Sequence, residues 1–349
     1  MTETGVSEAA SESKPRVLVV GAGLIGSYVG GLLAADGVDV CFLVREGSAG
    51  RYGGIAELVC TPFHETPRRA LAGRFAFTED PSAAAGADLV LVCVKSPATS
   101  EAAEPLRAHL RPGAVVVSLQ NGVGNAERLR QALPGARVLG GIVAFNVVSD
   151  APGSYRQTTT GGVVIEAGSD EALAILRRDG LPVTATPEIV PLQWGKLLIN
   201  LNNALVALAD VTLAEELGTR GWRQVWARQI DEGMAALRAN GIEPQIPGPK
   251  LKLVMMLLRL PNWIYRIAAK RVASVDPDAR SSMWEDIRHG RPTEIDELQG
   301  AIVRMAAKAS LEAPVNARVM RLIRGVEDGS VRRPVPPDEV LRPKAYSAA

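Results

Sequence analysis

Residues 16–46 read RVLVVGAGLIGSYVGGLLAADGVDVCFLVRE, and few chains with this opening have many folds available to them. Val17 to Val20 form a continuous apolar run, as expected of a strand covered on both faces. The run breaks directly into Gly21, Gly23 and Gly26, spaced GxGxxG. A helix to about Ala35 and a second β-branched run from Val38 to Val44 follow. A lone GxGxxG is weak evidence, but between a strand and a helix, with a second strand on schedule, it is strong. Gly21 allows the tight turn, Gly23 lets a pyrophosphate approach the backbone, and Gly26 lets helix and strand pack closely. Gly21, Ala22, Gly23, Leu24, Ile25 and Gly26 are therefore the expected phosphate-binding turn, where free helix N–H groups favour an anion. A purely structural glycine turn is the competing reading.

The residue after the second strand separates the two dinucleotides. An NAD site wants an acid there for the ribose hydroxyls. This chain has Arg45, 19 residues after Gly26, with Glu46 behind it. A guanidinium suits a 2′-phosphate, so NADPH/NADP+ is the expected cofactor, while Glu46 remains within reach of the ribose.

Alternation then continues. ADLVLVCVKS (87–96) reads as a buried strand ending in Lys95, 98–110 as helical, and AVVVSLQNGVG (114–124) as a strand breaking into a turn at Asn121. A helical 126–132 and an apolar 136–148 containing Asn146 follow. This order predicts an α/β, Rossmann-type, mostly parallel sheet with right-handed crossovers. Ligands collect at the carboxyl ends of such strands, where Lys95, Asn121 and Asn146 lie. Solvated loop positions are the alternative for each.

Past Pro152 the pattern changes to a few extra strands with a helix at 171–179, and from Trp194 onward helices follow one another. They are expected at 194–209, 213–218, 222–240, 250–273, 278–289, 293–310 and 314–324, with breaks marked by prolines. The expected organisation is a leader without structure (1–15), a Rossmann-type NADP-binding domain (16–190), an all-helical substrate and catalytic domain (191–328) and a disordered tail (329–349).

Within WGKLLINLNNALVALA (194–209) the only charge is Lys196, and Lys196, Asn200 and Asn203 share one helical stripe. Burying an ammonium without a partner is costly. The stripe therefore either lines a cavity, or Lys196 sits in the first turn and snorkels to solvent.

Composition excludes several function classes. Net charge is +1 and only 4% of the 349 residues are aromatic, so neither a nucleic-acid footprint nor a base-stacking platform is expected. The apolar stretch LVMMLLRLPNWIYRIAAKRV is broken by Arg259, Pro261 and Arg266, too short a run for a membrane span. Cys41, Cys60 and Cys93 are odd in number with no CxxC spacing. Together with a polar, acidic N-terminus this reads as a protein of the reducing cytoplasm. Three scattered histidines give no zinc pattern.

Four stretches together resemble the ketopantoate reductase (2-dehydropantoate 2-reductase) family: GAGLIG at 21–26, QNGVG at 120–124, WGKLLIN at 194–200 and SSMWEDIRHGRPTEID at 281–296. The resemblance covers residues 16–328, and the last two stretches are the more specific. It implies NADPH-dependent reduction of a small 2-oxo acid in a cleft between a Rossmann domain and a helical domain, with no metal. It implies Lys196 as the catalytic lysine and general acid, and Glu294 as the acid near cofactor and lysine. Asn121 matches the loop asparagine at the nicotinamide end, Asn200 and Ser282 match substrate contacts, and Lys95 matches a cofactor-side lysine.

The chain departs from the family pattern at Ala204, eight residues after the lysine, and at Ala279, where asparagines are usual. A paralogous reductase of a different oxo acid is therefore a second reading, and a non-catalytic NADPH sensor a third. A homodimer, as the commonest oligomer, is the expected assembly.

Overall fold

A computed structural model of the chain describes residues 14–246, 251–272 and 279–341. Among the described residues there are twelve strands: β1 (Arg16–Val20), β2 (Asp39–Leu43), β3 (Glu57–Thr61), β4 (Arg68–Leu71), β5 (Phe75–Thr78), β6 (Leu89–Val92), β7 (Val115–Ser118), β8 (Arg137–Val143), β9 (Val147–Ala151), β10 (Ser154–Gln157), β11 (Val163–Glu166) and β12 (Val183–Thr186). Eight form one sheet in the order β12-β11-β8-β7-β6-β1-β2-β5, parallel except where β11 meets β8. The other four form a smaller sheet, β4-β3-β10-β9.

The continuous apolar runs have the expected cause. Val17 and Val19 of β1 point into the core beneath the first helix, while Leu18 and Val20 point into a second core on the opposite face. A strand buried on both faces has no polar alternation to show. The apolar segment 136–148 divides into β8 and the start of β9, which lie in different sheets.

The helices are α1 (Leu24–Ala35), α2 (Thr99–Ala103), α3 (Asn125–Ala132), α4 (Asp170–Leu176), α5 (Ile189–Asn200), α6 (Asn202–Ala209), α7 (Leu213–Gly218), α8 (Arg220–Ala239), α9 (Leu251–Arg259), α10 (Asn262–Val272), α11 (Ser282–Arg288), α12 (Gln299–Lys308), α13 (Pro314–Glu327) and α14 (Pro337–Leu341). From α5 onward they enclose a third core built on Leu197, Leu201, Leu205, Ile230 and Ile302. No helix among the described residues is long and apolar enough to cross a membrane.

Further expectations change. The helix expected over 194–209 is broken between α5 and α6. That over 250–273 is broken between α9 and α10 at Pro261, and its two end residues lie outside the described residues. The helix expected to start at Trp194 begins at Ile189, because Pro191 falls in its first turn, where a missing N–H costs nothing. Lys196 is thus the eighth residue of α5, not a first-turn residue free to snorkel. The helix expected over 293–310 shrinks to α12, since Thr293 N–H donates to Glu327 (2.8 Å) and Ile295 N–H to the Thr293 hydroxyl (3.3 Å), holding 293–298 in turns. The tail expected to be disordered from 329 is ordered to 341: Val335 N–H donates to Leu208 (2.9 Å), and Val335 and Val340 are buried in the helical core. The leader's residues 1–13 and the tail's residues 342–349 lie outside the described residues.

One buried acid makes the helical core sensitive to pH. Glu216 is fully buried in α7 and accepts from Asn202 Nδ2 at 3.2 Å, while Glu216 Oε1 and Asn202 Oδ1 have no partner. Burial pushes the carboxyl up to about 8, against help from Asn202 and Arg223. The folded chain then holds a proton that the unfolded chain loses near 4.5, so stability falls as pH rises between those values and is flat outside them. Glu216→Gln, which cannot ionise, is expected to remove this slope, worth up to a few kcal/mol across the window. Urea midpoints at the two ends of the window check it; an unchanged slope in the variant refutes the assignment.

Candidate active site

The glycine turn sits against the end of β6. Gly21 has φ +99°, a conformation L-residues avoid, and a Cβ there would strike Val94 at 2.8 Å. A Cβ on Gly26 would lie 2.1 Å from the Gly21 carbonyl, which is what lets α1 leave the turn at once. A Cβ on Gly23 would meet nothing within 4 Å. Gly23 is the N-cap of α1 with no side-chain cap, so the first amides of the helix face open space at its N-terminus. A pyrophosphate fits this shape and polarity. Arg45 is exposed just past β2, and Glu46 beside it is exposed as well.

Across the carboxyl edge of the sheet, residues far apart in sequence converge. Lys196 Nζ donates to Asn121 Oδ1 at 2.8 Å, a contact between residues 75 apart. Asn121 follows β7 and is locked from behind. Its carbonyl accepts from the Ser96 hydroxyl (2.6 Å) and from Asn125 Nδ2 (2.7 Å), and Asn125 Nδ2 also reaches Ser96 Oγ (2.9 Å). Gln120 adds bonds to the Val94 carbonyl and Thr99 hydroxyl. Glu294, on the turn before α12, accepts from the Ser96 amide at 3.2 Å. It is not the first-turn acid of a helix, because the helix starts five residues later.

The lysine sits where its proton is loosely held. Lys196 keeps part of its surface open while Trp194, Gly195, Leu197 and Leu198 around it are buried. Burial lowers its amine from 10.5 to about 8, and the Glu294 carboxylate pulls in the opposite direction. Glu294 therefore acts on Lys196 through charge, while the hydrogen bond goes to Asn121. Along 194–209 only Lys196, Ile199, Asn200 and Asn203 are not fully buried, so the polar stripe is real and opens on one side. Ala204 is fully buried.

Other expected residues lie at the margins. Lys95 forms an ion pair with Asp286 of α11 (2.7 Å) and donates to the Pro292 carbonyl (3.1 Å), bridging sheet and helices. Ser282 is exposed as the first residue of α11. The N-cap is Ser281, whose hydroxyl accepts from Trp284 N–H (3.1 Å) and donates to the Asn203 carbonyl (2.8 Å). Asn146 is exposed, with its backbone tied to Thr158 and Thr159.

Sequence reasoning passed over Ser96, Asn125, Asp286 and the Arg128–Glu297 pair, which joins α3 to the Glu294 turn at 3.0 Å. Asn125 carried a readable signal: it lies one helical turn after Asn121, at the start of α3. The others had none, since their roles depend on which loop they meet.

A family model described as "Ketopantoate reductase PanE/ApbA" matches residues 17–170, and its C-terminal counterpart, "Ketopantoate reductase PanE/ApbA C terminal", matches residues 188–327. The 2-dehydropantoate 2-reductase of Halobacterium salinarum is 31% identical over 320 residues, covering 88% of this chain and 98% of that one. That of Archaeoglobus fulgidus is 29% identical over 325 residues, covering 90% and 98%. Among solved structures, a PanE/ApbA family ketopantoate reductase from Ralstonia eutropha superposes with a TM-score of 0.75 at 31% identity, covering 90% of this chain and 99% of that one. A D-mandelate dehydrogenase shares the fold at a TM-score of 0.72 and 20% identity, with 90% and 99% covered. The matches span both the sheet and the helices and take in all four motif stretches: the chain belongs to the ketopantoate reductase family.

Proposed function

We propose that the protein is an oxidoreductase that reduces a 2-oxo acid with NADPH, ketopantoate (2-dehydropantoate) being the first candidate, as in pantothenate biosynthesis. The observation that carries this reading is the Lys196 ammonium, set in an apolar helix, fixed by Asn121 and facing the charge of Glu294. A dinucleotide held by the Gly21–Gly26 turn would supply the hydride for the keto carbon. Lys196 donates the proton that the resulting alkoxide needs, and its charge steadies the oxygen as negative charge develops. An amine lowered to about 8 is well matched to that task near neutral pH. Asn121 orients the amine, and Glu294 keeps it protonated. Asn200 and Ser282 are the proposed substrate contacts. The Gly21–Gly26 turn, Arg45 and Lys95 are the proposed cofactor contacts, with Asn121 and Glu294 at the nicotinamide end.

In this reading residues 16–190 bind the cofactor and 191–328 carry the substrate side, in a cytoplasmic homodimer. Its cysteines are free, in keeping with a reducing compartment. Asn203 is half-buried like Asn200, one position before the fully buried Ala204, and is the proposed alternative amide on that stripe. A second reading is favoured by Ala204 and Ala279: a paralogue acting on a bulkier or more apolar oxo acid.

The test is NADPH oxidation with ketopantoate and a panel of larger 2-oxo acids, followed by loss of near-ultraviolet absorbance. Ketopantoate is expected to be the best substrate by kcat/KM. Turnover confined to larger oxo acids would select the paralogue, and none at all despite NADPH binding would leave a sensor.

A further inference from the structure

Strands β2 and β5 run side by side, with Leu43 opposite Thr78 and the Val44 amide bonded to the Thr78 carbonyl at 2.9 Å. The residues that follow, Arg45 and Glu79, therefore leave neighbouring strand ends together. The loop after Arg45 turns tightly. Gly47 has φ +74°, the Ser48 amide donates to the Arg45 carbonyl at 3.0 Å, and the Ser48 hydroxyl donates to the same carbonyl. In this conformation the amides of Gly47, Ser48 and Ala49 converge as an anion-binding nest. The anion in it is Glu79, whose Oε1 accepts from the Ala49 amide at 2.6 Å. The Ala49 amide, with those of Gly47 and Ser48 close by, holds this carboxylate below its ordinary range.

The loop's far end is fixed as well. Tyr52 stacks on Phe77 with ring centres 4.6 Å apart, and Phe77 stacks on Phe42 at 4.9 Å. The Tyr52 hydroxyl points to the Ala22 carbonyl, in the glycine turn, at 3.5 Å. Arg45 thus stands on a loop clamped from β5 at one end and leaning on the phosphate turn at the other.

We propose that Glu79 is a positioning residue for recognition of the cofactor's 2′-phosphate: by filling the loop's amide nest it fixes Arg45 as the receiving group. The inference rests on the NADPH reading above. Loop amides left without this carboxylate, that of Ala49 first, would compete for the phosphate and let the loop drift. Glu79 closes that alternative, leaving the guanidinium as the receptor, and a planar fork suits a phosphate.

Dissociation constants for NADPH and NADH, measured by calorimetry on wild type, Glu79→Ala, Glu79→Gln, Arg45→Ala and the Arg45→Ala/Glu79→Ala double variant, test it. Glu79→Ala is expected to weaken NADPH about tenfold, the scale of a lost charged hydrogen bond, and NADH less than about twofold. Glu79→Gln, which keeps one acceptor oxygen, should fall between. The double variant should bind NADPH no more weakly than Arg45→Ala alone, because Glu79 acts through Arg45. Equal losses for both cofactors would make Glu79 a structural cap and overturn the proposal, as would additive losses in the double variant. If Arg45→Ala leaves the NADPH preference intact, the 2′-phosphate reading itself fails and takes the proposal with it.

Discussion

Replacing Lys196 by alanine is expected to lower kcat for oxo-acid reduction about 10³-fold, close to 4 kcal/mol of barrier, while leaving the fold intact. Two losses combine. The alkoxide loses its proton donor, and the cleft loses the one ammonium that α5 brings to its open stripe. Lys196→Arg separates them, since a guanidinium keeps the charge but does not give up a proton at working pH. The wild-type pH profile carries the same information. Lys196 is an acid only while protonated, so kcat/KM for reduction should hold below about 8 and fall as pH rises through that value. Glu294 raises the lysine's affinity for its proton, so Glu294→Gln should move the falling limb to lower pH. A Lys196→Ala enzyme of near-normal kcat, or a limb unmoved in Glu294→Gln, would end the assignment of Lys196 as the acid.

What the sequence made legible was whatever is decided locally. The β1–turn–α1–β2 unit is specified by four successive signals within one short window: β-branched residues, glycines, a helical pattern, then β-branched residues again. The polar stripe of Lys196, Asn200 and Asn203 was readable because helical periodicity alone groups them. Strands β3 and β4 were not, because ELVCT and RRAL are short and carry charges, and β3 is completed by β10, which lies far along the chain. The tail misled for a similar reason. Its prolines and arginines read as unstructured, yet Val335 and Val340 are buried in the helical core, the Val335 amide bonds to Leu208 and Arg333 pairs with Asp210.

The site shows the same division. Each polar residue at a strand end could be marked as a candidate, but not which one it would meet. Ser96 and Glu294 are 198 residues apart, and their bond exists because the 293–298 turns bring a carboxylate onto a loop amide. Reading 293–310 as one helix hid that. Helix periodicity there is satisfied by Ile295, Leu298, Ala301 and Ile302, which are buried whether or not the first turn is helical. Thr293 and Glu327 then decide the backbone through side-chain bonds that no local pattern records.

The Trp194-Gly195-Lys196 triplet has a constraint of its own, and Gly195→Ala is expected to be the most destabilising of the small substitutions near the site. A Cβ at Gly195 would lie 1.7 Å from the Gln245 carbonyl oxygen and 2.5 Å from its carbon, with Ile246 Cγ2 at 2.9 Å. The two Gln245 atoms are backbone, and they cannot swing aside, because the Gln245 amide is bonded to the Pro191 carbonyl (2.9 Å) in the first turn of the same helix. Relief requires α5 to move against the segment that crosses it. Overpacking ordinarily costs about 1–3 kcal/mol, and a clash with fixed backbone should reach about 3 or more. The loss should be read from urea midpoints, with Gly218→Ala as control, since a Cβ there meets nothing within 4 Å. Activity should fall as well, because Lys196 is the next residue and any displacement of α5 carries its amine off Asn121. That separates the variant from Lys196→Ala, which is expected to lose rate without losing stability. A Gly195→Ala protein as stable as wild type would mean that the 245–246 segment does not cross α5 at this glycine.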